Sequence, residues 1–301
     1  MSRVLYDIRH LTAYDYASTV SSARCVLRLR PREVAGQTCR AHAVAVKPQP
    51  RSNQPGKDFF GNAFESILID APHAALSIEA RSIVDVARPP GPPAAGASVE
   101  SVAAAALRER ALSPESPAHH LYASPLVAPV AAVTAYARES LAPGRDALEG
   151  ARELMARIRA DFDYEPEATD VATPLAEAFA ARRGVCQDFA HIMIAGLRGL
   201  GVPARYVSGY IRTIPPPGEK RLDGADATHA WVDVWCGRTA GWRGLDPTNA
   251  IDAGNDHIEL AVGRDFSDVS PVYGVILGAG EQKLTVAVDV IPIESRGRSI
   301  S

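Results

Sequence analysis

Gly184-Val185-Cys186-Gln187-Asp188-Phe189-Ala190-His191 is the stretch from which the rest of the chain is best read. Phe189, Ile192, Met193, Leu197 and Leu200 follow at helical spacing, and Gly201 with Pro203 ends the helix. Cys186 therefore falls in the first turn, where unpaired amides and the positive end of the helix dipole favour a thiolate. Gly184 lets the backbone approach closely, as a nucleophile site needs. On position alone a packing role for Cys186 is the commoner reading, because free cysteine is among the most buried residue types.

The residues that follow shift that balance. Ala204 to Ile211 reads as a strand, His229-Ala230-Trp231-Val232-Asp233-Val234-Trp235 alternates as a second, and Trp242-Arg243-Gly244-Leu245-Asp246 makes a third, stopped by Pro247. A cysteine nucleophile needs a base within hydrogen-bond reach, and the base needs an orienting group on its other nitrogen. A helix start, a strand start and the end of the next strand can converge on one point. The hairpin sets a condition: a four-residue loop, Gly237 to Ala240, pairs Cys236 with Gly241 and puts Asp246 diagonal to His229.

Four blocks, Gly184 to His191, Gly201 to Tyr210, Asp226-Ala227-Thr228-His229-Ala230-Trp231-Val232 and Leu245-Asp246-Pro247-Thr248-Asn249, resemble the bacterial transglutaminase-like family in order and spacing. Tyr6-Asp7-Ile8-Arg9-His10-Leu11-Thr12-Ala13-Tyr14-Asp15-Tyr16, with Leu27-Arg28-Leu29-Arg30-Pro31-Arg32, resembles the β-rich domain that precedes the core in many members. The resemblance implies an α+β chain: a sandwich-like N-terminal domain, then a papain-like core whose nucleophile helix packs on an antiparallel sheet. It implies Cys186 as nucleophile, His229 as general base and acid, and Asp246 as orienter. It also makes Tyr164 a candidate second oxyanion donor beside the Cys186 amide, with a half-buried core tyrosine the equal alternative. Asp188 is expected to cap the helix, and His191 to be a packing or cleft-wall residue. Trp231 alternates with His229 and is a candidate cleft wall. Trp235, Trp242, Cys25, Cys39 and Cys236 read as packing residues.

Working outward, residues 1–87 read as a β domain from the alternation in Cys25 to Arg30, Ala41 to Val46 and Glu65 to Asp70. Residues 88–98 are a proline-rich linker, and 99–301 the catalytic domain. Helices are expected over 99–112, 127–142, 146–162 and 173–182, and a last strand through Leu284, Val286, Val288 and Val290. The loop over 212–227, which carries Pro215-Pro216-Pro217-Gly218, enters the His229 strand and is expected to border the cleft.

Composition sets limits. The 301 residues are 47% apolar and 22% charged with a net charge of −3, so a nucleic-acid partner has no electrostatic support. The N-terminus lacks the apolar core of a signal peptide, and no apolar run nears the roughly 18 residues that span a bilayer, so the cytoplasm is the simplest location. Four cysteines without CxxC spacing argue against a zinc cluster, and His119-His120 lacks acidic or cysteine neighbours; no metal or organic cofactor is called for. The expected chemistry is thiol-dependent hydrolysis of a peptide or other amide. An amine-accepting acyltransferase and a non-catalytic binding protein on the same frame are the alternatives. Oligomeric state is not legible.

Overall fold

The computed structural model describes residues 3–88, 97–166, 168–214, 224, 227–278 and 280–293. Six strands come first: β1 (Val4–Val20), β2 (Ser22–Leu27), β3 (Gln37–Lys47), β4 (Ser52–Lys57), β5 (Ala63–Ile69) and β6 (His73–Val86). Helices α1 (Val99–Leu107), α2 (Ala131–Ser140) and α3 (Ala147–Asp161) follow. Short β7 (Asp163–Tyr164), α4 (Leu175–Ala181) and β8 (Arg183–Gly184) then lead into α5 (Cys186–Gly199). Strands β9 (Ala204–Ile211), β10 (Ala227–Trp235), β11 (Trp242–Asp246), β12 (Ile251–Asp252) and β13 (His257–Gly263) form one antiparallel sheet, ordered β12-β11-β10-β9-β13. A short α6 (Phe266–Val269) precedes β14 (Val272–Leu277) and β15 (Gln282–Ile293).

The core forms where α5 lies on this sheet. Phe189, Ile192, Met193 and Leu197 are fully buried in one cluster with Ala230, Val232 and Val234 of β10 and with Leu154 and Ile158 of α3. Each such large side chain contributes about 1.5–3 kcal/mol by burial. The helix is apolar almost all round because α2, α3 and α4 cover the side turned away from the sheet. Asp146 starts α3 by accepting from the Leu148 and Glu149 amides. The chain is thus α+β, with a strand-rich N-terminal region and a core in which α5 packs on an antiparallel sheet.

The sandwich has two sheets, β15-β1-β6-β3 and β14-β2-β5-β4. The division at 99–301 needs correcting at its far end: β15 pairs antiparallel with β1 (Tyr14 opposite Leu284, His10 opposite Val288) and β14 with β2, so the chain returns to finish both sheets of the N-terminal unit. The cause is edge closure, since each of these strands covers an edge that residues 1–87 alone leave open. Of the 88–98 linker, 89–96 lie outside the described residues. At its ends, the Arg88 amide donates to Asn255 Oδ1 and Ser98 caps α1.

The 17 residues of β1 extend about 56 Å, more than one layer needs. One face of β1 and β6 therefore serves two partners. Leu76, Ile78 and Ala80 pack on the second sheet with Leu27, Ile67 and Ile69. Further along, Tyr6, Ile8, Val84 and Val86 pack with Val288 and Val290 against Tyr210, Ile258 and Leu260 of the core sheet.

Candidate active site

Cys186 opens α5, half-buried, and the turn before it is held from both sides. Asp188 Oδ2 accepts from the Val185 amide (2.8 Å) and from Thr169 Oγ1 (2.6 Å), which makes it the cap its position suggests. Gly184 follows from that cap: a Cβ there would lie 2.5 Å from Asp188 Oδ2. In β7, Tyr164 pairs in parallel with Gly184, and the Glu165 amide donates to the Gly184 carbonyl at 3.0 Å. This sets Tyr164 beside the nucleophile, half-exposed and edge-on to Phe189. Burial and the nearby Cys186 sulfur both raise its hydroxyl pKa.

His229 and Asp246 come from the β10–β11 hairpin. The Cys236 amide donates to the Gly241 carbonyl at 2.9 Å, and Trp235 faces Trp242, the register that the four-residue loop requires. His229 Nε2 meets Asp246 Oδ2 at 2.8 Å, which leaves Nδ1 for the hydrogen bond with Cys186. Burial alone would lower the His229 pKa, but its hydrogen bonds with Asp246 and Cys186 raise it to about 10. Asp246 is fully buried, which works against its charge. Bonds from His229, His257 and Asn249 nonetheless hold it well below the usual carboxylate range. Its Oδ1 accepts from the Thr248 and Asn249 amides, so the turn after Pro247 fixes the carboxylate. The structure thus brings Cys186, His229 and Asp246 together.

Two other candidates sit elsewhere. Trp231 shares the face of His229, as alternation requires, but it is 1% exposed, stacks under the imidazole at 6.3 Å and does not line the cavity at Cys186. Gly209 makes room for it, since a Cβ there would lie 2.5 Å from the indole ring. His191 is buried against Tyr206, and its Nε2 accepts from the Phe266 amide. Burial lowers its pKa to about 4, so it is a neutral core histidine.

Sequence reasoning missed His257. It begins β13, and its Nε2 reaches Asp246 Oδ2 at 3.1 Å while its Nδ1 accepts from the Gly254 amide. That acceptor bond puts the proton on Nε2, so His257 donates to the carboxylate that also holds His229. The ligand atoms of His229, Asp246 and His257 lie within 4.8 Å of one another, a spacing that could hold a metal. They are already joined by hydrogen bonds, and a metal at about 2.0–2.2 Å from each would have to break those bonds.

A cavity of about 290 Å³ opens on Cys186 and His229, with Gln187, Tyr206 and Ser208 on the core side. Its far wall comes from the sandwich: Thr12 and Tyr14 of β1, Val272 of β14, and Leu284 and Val286 of β15. Of the 212–227 loop, 215–223, 225 and 226 lie outside the described residues.

Residues 6–85 match the bacterial transglutaminase-like N-terminal region, and residues 134–247 match the transglutaminase-like superfamily. The protein Rv2569c of Mycobacterium tuberculosis (strain ATCC 25618 / H37Rv) is 40% identical over 296 residues, covering 96% of this chain and 93% of its own. A protein-glutamine gamma-glutamyltransferase of Pseudomonas aeruginosa is 34% identical over 106 residues, 33% of this chain and 16% of that one. The crystal structure of a candidate cysteine protease from Cytophaga hutchinsonii superposes with a TM-score of 0.76 at 17% identity, covering 98% of this chain and 92% of the other, a likeness of fold. No helix among the described residues is long and apolar enough to cross a membrane. With both regions matched in order along one chain, this protein belongs to the transglutaminase-like superfamily and carries the bacterial N-terminal region ahead of the core.

Proposed function

We propose that the protein is a thiol-dependent amide hydrolase that works through a thioester acyl-enzyme. The observation that carries the reading is the placement of His229, bonded to buried Asp246 through Nε2 and to Cys186 on its other side. The Cys186 sulfur attacks the amide carbonyl carbon, and the oxyanion is met by the Cys186 amide with Tyr164 as the candidate second donor. His229 gives its proton to the leaving amine, then takes one from the water that cleaves the thioester. Asp246 stays ionised and steadies the imidazolium. The reading assumes a cytoplasmic setting, in which Cys186 stays reduced, and a peptide or other amide as substrate.

A second reading, acyl transfer to an amine, is favoured by the stretch shared with the Pseudomonas gamma-glutamyltransferase. Peptide libraries incubated with an added primary amine separate the two. Mass spectrometry is expected to find hydrolysed products from the wild type and a loss of about 10³-fold or more in Cys186→Ala. Amine-incorporated products alone would move the assignment to a transferase. Undiminished turnover by Cys186→Ala would remove the thiol mechanism altogether.

A further inference from the structure

The apolar face of β15 is only partly covered. Leu284, Val286, Val288 and Val290 alternate on one face, and Val288 and Val290 are fully buried against the core sheet. Leu284 and Val286 are 53% and 46% exposed, and both open onto the cavity that holds Cys186. On the neighbouring strand, Thr12 lies opposite Val286 and Tyr14 opposite Leu284, which continues the same surface. The gap falls where the sandwich face passes from its own second sheet to the core sheet, so neither partner fills it. None of the described residues that line the cavity is an aspartate, glutamate, lysine or arginine.

We propose that the N-terminal sandwich supplies the acyl-donor pocket, and that this pocket selects amides whose acyl side carries an uncharged, apolar side chain. The proposal rests on the acyl-enzyme reading for its substrate and on geometry for its location. Leu284 and Val286 would cover an aliphatic or aromatic group while the carbonyl carbon lies at the Cys186 sulfur. Against Leu284 and Val286 a charged side chain would lose its water and gain no polar partner from either.

The test uses two neutral alkylating agents, iodoacetanilide and iodoacetamide, which differ by an apolar ring. Rates at Cys186 are read by mass spectrometry of its peptide and normalised to glutathione. The wild type should prefer iodoacetanilide by about tenfold beyond glutathione, the discrimination a small apolar contact provides. Leu284→Ser and Val286→Ser should each lose several-fold of that preference, read as the ratio of the two rates within each variant. Val275→Ser, on β14 and outside the cavity, should keep it. A wild-type preference equal to that of glutathione, or serine variants that keep the wild-type ratio, would overturn the proposal. If the ratios behave as expected but no amide is turned over, the hydrolase reading fails and the pocket stands.

Discussion

The two walls of the cavity are built on opposite principles. On the core side Asp246 is fully buried and takes five hydrogen bonds, from two histidines, an asparagine side chain and two backbone amides. Moving any one of these donors takes a hydrogen bond from a buried charge, at about 1.5–3 kcal/mol where the bond is charge-assisted. On the sandwich side Leu284 and Val286 make an apolar surface that is half open to solvent. One wall is fixed by polar bonds that specify a single geometry, and the other is an underfilled apolar face. A reacting group needs the first kind of support, and a site for a variable side chain needs the second.

Breaking the core wall should have the largest effect. Asp246→Asn keeps the shape but cannot balance the imidazolium, and amide turnover is expected to drop by about 10³–10⁴-fold. The pH profile carries the diagnosis. A pKa raised to about 10 means that His229 is protonated through neutral pH, so wild-type activity should decline only as pH climbs toward 10. With Asp246 neutralised, burial acts with less opposition and the alkaline decline should move to lower pH. The raised pKa also makes the pair stabilise the fold fully below the ordinary 6.5, a contribution lost as pH rises through about 10. An unmoved alkaline limb in Asp246→Asn would show that this carboxylate does not set the protonation of His229.

His257 sharpens the comparison, because it supports the wall without reaching the cavity. Removing one charge-assisted bond costs about 1.5–3 kcal/mol, so His257→Phe is expected to lower kcat roughly ten- to a hundredfold with KM little changed. His257→Gln, which can still present a donor, should recover part of the loss. A KM effect alone would mean that His257 shapes substrate binding instead of Asp246.

The same contrast explains what the sequence could reveal. The Cys186 helix, the β9–β11 strands and the Asp246 turn were readable because each depends on local spacing: a 3.6-residue stripe, a period-2 alternation and a four-residue loop. Depth was not readable. Alternation put Trp231 on the face of His229 without telling that it lies beneath the ring, and helical spacing could not tell that the Phe266 amide occupies His191. The long β1 and β6 were not read from alternation because His10, Thr12 and Ser82 interrupt their apolar faces with buried polar groups. His10 is satisfied by the hydroxyls of Thr12 and Tyr210, the second of them 200 residues away. His257 was missed for the same reason, since only the folded hairpin brings Asp246 to it. The pairing of β15 with β1 joins the two ends of the chain, and nothing in either strand names the other.

The smallest expected effect asks whether the two walls unfold as one body. His10 on the sandwich and His191 in the core are both buried, and burial lowers each pKa to about 4. In the unfolded chain each would titrate at the ordinary 6.5. The unfolded state therefore binds protons first as pH falls, and stability drops between 6.5 and 4. Each histidine should remove about 1.4 kcal/mol between neutral pH and pH 5.5. Urea unfolding of His10→Gln and His191→Gln at pH 7.5 and 5.5 measures this directly. If sandwich and core unfold together, each variant should shrink the pH dependence of the single transition by the same amount. Two transitions, with His10→Gln affecting only one and His191→Gln only the other, would mean that the Tyr6, Ile8, Val288 and Val290 interface does not couple them. The sandwich wall could then open independently of the core wall.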